Sequence, residues 1–215
     1  MTGEGLVVVG CGGHGREVLD IVRAVNAAAP SPLFRVLGVL DDRPAPENLA
    51  RLDRLGVAYL GTLDWLADAP PGTRHVLGVG HPRVRAALDR RAAAYGSPAV
   101  TLVHPHATVG PDSTLGEGAV VFAGARITTN VVLGRHVHVN QNATVGHDTV
   151  LDDYVAVHPL AAVSGDCRLA AEVLIGTTAA VLPGLRVGAG ATVGAGACVV
   201  RDVPAGSVVK GVPAR

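Results

Sequence analysis

The chain has 215 residues, with 18 basic and 18 acidic side chains and a formal net charge of zero. That balance leaves no electrostatic footprint for nucleic acid or an anionic membrane as partner. Hydrophobic residues make up 48% and aromatics only 3%, so a core has to be filled by Val, Leu, Ile and Ala, which favours thin, regular layers. Cys11, Cys167 and Cys198 are odd in number and widely spaced, which argues against a disulfide framework or a CxxC metal site; they read as small buried hydrophobes in a reducing compartment. No basic segment followed by an apolar run opens the chain, and Leu6 to Val9 is too short for a signal peptide or a membrane span, so the expectation is a soluble cytoplasmic protein.

Residues 1–98 alternate strand-like and helix-like patterns. Leu6 to Val9 is a continuous apolar run, as expected of a strand buried on both faces. The glycine-rich segment Gly10-Cys11-Gly12-Gly13-His14-Gly15 follows it. Val18, Val22 and Val25 then recur at helical spacing, with Leu19 and Ile21 widening the apolar face. Val36 to Leu40 reads as a second strand ending in Asp41-Asp42, Val57 to Leu60 as a short strand, and Leu63 to Leu66 as a helical turn. Val76 to Gly80 is a further strand, followed by a helix with Val84, Leu88 and Tyr95 on its apolar face. The pattern predicts a small βαβ domain with a parallel sheet.

Residues 99–215 show no helical period. An aliphatic residue instead returns every six positions from Val109 to Val199, sixteen times without a slip. Two positions before it the residue is usually small or β-branched, as at Ala143, Ala161 and Ala179, and a glycine often follows it, as at Gly146 and Gly176. The physical reading is a triangular parallel β-helix: each hexad supplies one flat face and one corner, and three hexads make a coil. Residues 18 apart then stack at about the strand spacing of 4.8 Å. This ruler puts Gly165 on His147 and Ala195 on Thr177. Residues 201–215 are expected to cap one end of the stack.

The hexads, together with the tail Gly211-Val212-Pro213-Ala214-Arg215, resemble the left-handed β-helix acyltransferases. The segments Gly10 to Gly15, Leu40-Asp41-Asp42, Gly80-His81-Pro82 and His104-Pro105 occur in the order seen in sugar acyltransferases of the PglD/NeuD type. The resemblance implies a left-handed helix, a homotrimer with active sites between subunits, and acetyl transfer from acetyl-CoA to a nucleotide-linked sugar, often the amino group of a 4-amino-4,6-dideoxy sugar. No metal is required by that chemistry.

His147 is the leading catalytic candidate. An amine must lose a proton as it attacks a thioester, and an imidazole suits that task; Asp148 beside it can hold the ring. The resemblance assigns the general base to His147 and its partner to Asp148. A Gly165 N–H can bind the developing oxyanion, which the resemblance also implies. Ala156 stands where the family often has a donor-contacting His, with His158 two residues on. The resemblance further places Thr177 and Ala195 against acetyl-CoA and Asn140 near the substrate amine. In the first half, Gly12, Gly13 and His14 would contact the nucleotide sugar through N–H groups at a helix N-terminus, Asp41 and Asp42 the uracil or ribose, and Gly80 and His81 the rest of the crevice. Arg85 reads equally as a phosphate ligand or as a surface arginine.

Other readings fit the same residues. A hydroxyl acceptor, as in the NeuD-type O-acetyltransferases, is the alternative within the same class. The pair His136 and His138, placed on a strand face, leaves a zinc lyase of the β-helix carbonic anhydrase kind to be tested. A non-catalytic binding solenoid would explain the hexads but not the glycine-rich loop or His147-Asp148. A nicotinamide oxidoreductase is disfavoured, since the βαβ unit is short and the acidic residue expected about 20 positions after the glycine-rich loop is missing.

Overall fold

The computed structural model describes residues 3–215. The chain forms two compact units, one holding residues up to 80 together with 84–102, the other 81–83 and 103–215.

The first unit is a four-stranded parallel sheet in the order β3-β2-β1-β4, made of β1 (Glu4–Val9), β2 (Phe34–Leu40), β3 (Tyr59–Gly61) and β4 (Arg74–Leu77). The apolar run Leu6 to Val9 is buried, as its two-sided hydrophobicity demands. Helix α1 (Gly13–Ala28) buries Val18, Leu19, Ile21 and Val22. Its approach to the sheet is set by glycine: a Cβ on Gly15 would lie 1.8 Å from the Gly10 carbonyl oxygen, and Gly10 itself has φ +111°. A short 3-10 helix spans Leu63–Asp68.

Two features of this unit depart from the sequence reading. Helix α2 (Pro46–Arg54) was not foreseen; of its residues only Leu52 is fully buried, so its apolar signal is weak, although Pro46 stands at a favoured helix start. Helix α3 (Pro82–Ala93) ends before Tyr95, and Val84 faces solvent. Its buried positions are Pro82, Arg85, Ala86, Asp89 and Ala92. Arg85 is neither a surface residue nor a phosphate ligand: it is fully buried, and its Nη1 donates to the carbonyls of Val79 and Gly80, both at 2.9 Å. A buried guanidinium needs such acceptors, and these two carbonyls end the loop after β4.

The second unit is a left-handed parallel β-helix of two-residue strands in sheets of seven, six and five. Register confirms the 18-residue coil: Thr144 and Val145 pair with Ala162 and Val163, and Leu174 and Ile175 with Thr192 and Val193. The inward column Val121, Val139, Val157, Ile175 and Val193 is fully buried, each residue worth about 1.5–3 kcal/mol of burial. The corners have their own code. From Asp112 to Gly196 every sixth residue has a left-handed φ, including Asn130, Asn142, Asp148 and Asp166 at +55° to +60°. Asn, Asp and Gly tolerate that conformation best, which accounts for much of their placement. The helix begins a hexad earlier than Val109, at the strand Leu102–Val103. At the other end the tail folds back as expected of a cap: Val208–Val209 pair with Thr192–Val193, and the Ala214 N–H donates to the Cys198 carbonyl at 2.8 Å.

Candidate active site

Three corners run the length of the β-helix, and the candidate residues divide between two of them. The turns at 147–148 and 165–166 belong to one corner. There His147 Nδ1 lies 2.6 Å from Asp148 Oδ2, and Asn130 Nδ2 donates to Asp148 Oδ1 at 2.6 Å. Asn130 was missed by the sequence reading, although it stands 18 residues before Asp148 and the coil spacing points to it. The Asn130 hydrogen bond is the leading reason that the Asp148 carboxyl sits below the usual carboxylate range, with His147 second. A carboxylate so held fixes the ring tautomer that carries its proton on Nδ1, leaving Nε2 as acceptor.

The imidazole, 63% exposed, lies over Gly165. A Cβ on Gly165 would sit 2.5 Å from His147 Nε2. A second glycine clears the other side: a Cβ on Gly146 would be 2.4 Å from the Gly165 nitrogen. That nitrogen donates to no described residue. The corner is held from inside by buried Thr149, whose hydroxyl donates to the Ser164 carbonyl at 3.0 Å and accepts from the Cys167 N–H at 3.2 Å. The result is a base nitrogen and an unengaged N–H side by side on adjacent coils.

Asn130→Gly tests the relay. Glycine keeps the left-handed turn and removes the carboxamide. The expected outcome is a fall in kcat of about tenfold with KM for acetyl-CoA and the thermal midpoint unmoved; a drop in midpoint with kcat intact would make Asn130 a turn residue only.

The turns at 141–142, 159–160, 177–178 and 195–196 form a different corner. Thr177 and Ala195 stack there, the Gly196 N–H donating to the Thr177 carbonyl at 2.9 Å. Asn140 adjoins this corner; it is buried and donates to the Val157 carbonyl at 2.9 Å. Ala156, on the strand leading into it, is 1% exposed, and the ring of His158 follows it. Thus the structure groups Asn130, His147, Asp148 and Gly165 on one corner and Asn140, Ala156, Thr177 and Ala195 at the other. The outward face of Thr144, Ala162 and Ala180 separates them. His136 and His138 do not form a pair on one strand face. His136 is a turn residue at φ +50°, stacked on Tyr154 at 5.9 Å, and His138 is a strand residue beside Phe122; both are fully buried.

In the first unit, a cavity of about 290 Å³ is lined by Gly10, Asp41, Asp42 and Arg43 with apolar Val9, Leu63, Val79, Val84 and Leu88. Asp41 ties this end of the sheet together, accepting from the N–H groups of Cys11 and Arg43, both at 2.9 Å. Burial, reinforced by Asp41, pushes the Cys11 thiol up to about 12, so it is no nucleophile. Asp42 accepts from the Leu63 N–H at 3.0 Å and pairs with Arg91, whose guanidinium holds its carboxyl below the ordinary range. Nothing would meet a Cβ on Gly12, and only Arg16 lies near Gly13, so the start of α1 is open. His14 lies 3.6 Å from Glu17 and close under Gly80, while His81 is exposed.

A parallel β-helix with a relayed histidine at its corner defines the class of left-handed β-helix acyltransferases. The family model for the PglD N-terminal domain matches residues 5–91. PerB from Caulobacter crescentus, solved with CoA and GDP-perosamine, is 33% identical over 98% of this chain and 96% of its own, with a TM-score of 0.86; a mutant of perosamine N-acetyltransferase from the same organism, solved with the same ligands, is 32% identical over 98% and 95%, with a TM-score of 0.86. The acetyltransferase domain of PglB from Neisseria gonorrhoeae FA1090, solved with acetyl coenzyme A, is 37% identical over 100% and 99%, with a TM-score of 0.84. UDP-N-acetylbacillosamine N-acetyltransferase of Bacillus subtilis (strain 168) is 30% identical over 130 residues, 56% of this chain and 52% of the relative, so the match spans about half of that protein. The chain belongs to the PglD-type sugar acyltransferases.

Proposed function

We propose that this protein transfers the acetyl group of acetyl-CoA to the amino group of a nucleotide-linked amino sugar of the 4-amino-4,6-dideoxy class. The observation that carries the reading is the Asn130–Asp148–His147 relay laid over Gly165; the perosamine N-acetyltransferase solved with CoA and the PglB acetyltransferase domain solved with acetyl coenzyme A support it. The amine nitrogen attacks the thioester carbonyl carbon, and its proton passes to His147 Nε2. The electron pair displaced onto oxygen is met by the Gly165 N–H. Collapse of the tetrahedral intermediate breaks the C–S bond, and the CoA thiolate takes the proton back from Nε2. Asp148 stabilises the imidazolium in between.

The sugar nucleotide occupies the first unit, with its phosphates at the open N–H groups of Gly12, Gly13 and His14 and its base in the cavity beside Asp41 and Asp42. The split between two corners supports a homotrimer: a donor touching both the His147 corner and the Thr177–Ala195 corner needs those corners from two copies. The three unpaired cysteines suit a cytoplasmic enzyme, and among the described residues no helix is long and apolar enough to cross a membrane.

The test is release of CoA thiol on mixing the enzyme with acetyl-CoA and GDP-, UDP- or dTDP-linked 4-amino sugars, with the 4-hydroxy counterparts as controls. Turnover with one amino sugar and none with its hydroxy counterpart is expected. Turnover with the hydroxy sugars alone would replace N- by O-acetylation.

A further inference from the structure

Arg168 is the outward, exposed residue of its two-residue strand, in register with Val150 on the coil before. Its side chain leans back along the sheet to the His147 corner. There Nη1 donates to the carbonyl of Asp148 at 2.5 Å and to that of Cys167 at 3.1 Å. The Asp148 carbonyl has no other support. The ladder bond at this corner goes one residue earlier, from the Asp166 N–H to the His147 carbonyl at 2.7 Å, and among the described residues no backbone N–H donates to the Asp148 carbonyl. Asp148 itself holds a left-handed φ of +60°, a conformation that needs its surroundings to maintain it. The turn that carries both relay groups is thus gripped from inside by the Thr149 hydroxyl and from outside by a guanidinium. Arg186, in register with Arg168 one coil on, reaches no corner carbonyl among the described residues.

Arg168 also brings a charge to the relay. After the hydrogen bonds of Asn130 and His147, and the charge of His147, its field further draws the Asp148 carboxyl down. The other charges about the corner are differently placed. Asp112 and Asp166 share the corner column with Asp148. Arg126, on the adjoining face, is turned away to the His106 carbonyl at 3.4 Å. Asp152 and Asp202 line the outward groove with Arg168 and Arg186, and Asp202 accepts from the Arg186 backbone N–H at 2.9 Å. A carboxylate beside an imidazole favours the protonated ring, and a nearby cation opposes that. A general base must be neutral at the working pH to accept a proton. We infer that Arg168 is a positioning residue of the relay, which pins the Asp148 turn under the ring and tempers by its charge the pull of the carboxylate on the imidazole proton. The inference rests on the proposed function for its purpose, and the contact itself involves no substrate.

The test follows the His147 ring by NMR in the full-length protein labelled with ¹³C-histidine, its resonance identified by its loss in His147→Ala. In Arg168→Gln the titration midpoint of that resonance should rise by about half a pH unit at low ionic strength, and the rise should shrink as salt is added. The acid limb of kcat/KM, measured with an amino sugar that the wild type acetylates, should move up by a similar amount. The plateau kcat should fall about fivefold to tenfold as the turn loosens, with KM for acetyl-CoA and the thermal midpoint unchanged. Arg168→Lys keeps the charge without the guanidinium fork, so it should hold the titration near its wild-type position and restore only part of kcat. Arg186→Gln removes the same charge one coil away and should leave the titration and the plateau kcat near wild type. A titration unmoved in Arg168→Gln, moved as far in Arg168→Lys, or moved as far in Arg186→Gln overturns the assignment. So does a rise in KM for acetyl-CoA as the sole effect, which would make Arg168 a donor ligand. Wild-type protein that acetylates no amino sugar would sink the proposed function, and the ring titration would still be readable. Normal wild-type turnover with titration and kcat untouched in Arg168→Gln would sink this inference alone.

Discussion

His147→Ala is expected to lower kcat by about 10²–10⁴, the usual contribution of a positioned general base, while CoA binding and the thermal midpoint stay at wild-type values. The side chain is 63% exposed, and Asp148, to which its ring is hydrogen-bonded, keeps its bond from Asn130 when the ring is removed. Little folding energy therefore depends on the imidazole. The Gly165 N–H and the bound substrates remain, so the residual rate should exceed that of the uncatalysed reaction. The measurement is steady-state turnover with the cognate amino sugar, beside a melting curve and a CoA titration. Turnover within a few-fold of wild type would remove His147 from the mechanism and leave the relay without a purpose.

Gly165→Ala should come close to the same loss by another route. The added methyl would stand 2.5 Å from Nε2 and 2.6 Å from Cε1 of His147. Gly165 does not have a left-handed φ, so alanine suits its backbone. What must give way is an exposed side chain, which can swing outward at small cost, so stability should change by less than about 1 kcal/mol. The base nitrogen then leaves its place over the Gly165 N–H, and misplacement by an ångström can cost about a hundredfold in rate. An expected kcat loss of that order, with CoA binding little changed, separates this effect from unfolding. A Gly165→Ala enzyme with normal kcat would show that the ring moves into another position to react.

Both predictions come from a contact that the sequence alone located. The hexads stack His147 and Gly165 because the coil length is constant, and each inward Val or Leu reports its own place in the coil. Asn130, 18 residues before Asp148, is equally accessible to that count, but a carboxamide carries no reactive group that singles it out, and Gly146 follows its inward valine as other corner glycines do. The count also placed Thr177 beneath Ala195 but did not separate their corner from that of His147, since stacking along an axis says nothing of the angle about it until residue differences are taken modulo 18. The burial of Arg85 was hidden for a different reason. It depends on two carbonyls in the loop after β4, a contact with no periodicity to announce it. Helix α2, with Leu52 as its one fully buried residue, carried too little pattern to separate it from a loop.

The left-handed turn at every sixth residue makes the solenoid a counter with three positions. A duplication of 18 residues inserted before Asn130 would lengthen the stack by one coil and leave the relay and Gly165 aligned. An insertion of six residues between Asp148 and Gly165 would preserve every inward aliphatic and every corner code, and would still carry Gly165 a third of a turn away from His147. The same duplication placed between Asn130 and Asp148 would leave the imidazole over Gly165 but install a copied residue beneath the carboxylate. Whole coils can therefore be added at either end without disturbing the site, whereas between residues 130 and 165 any change of length breaks the stacking on which the relay depends.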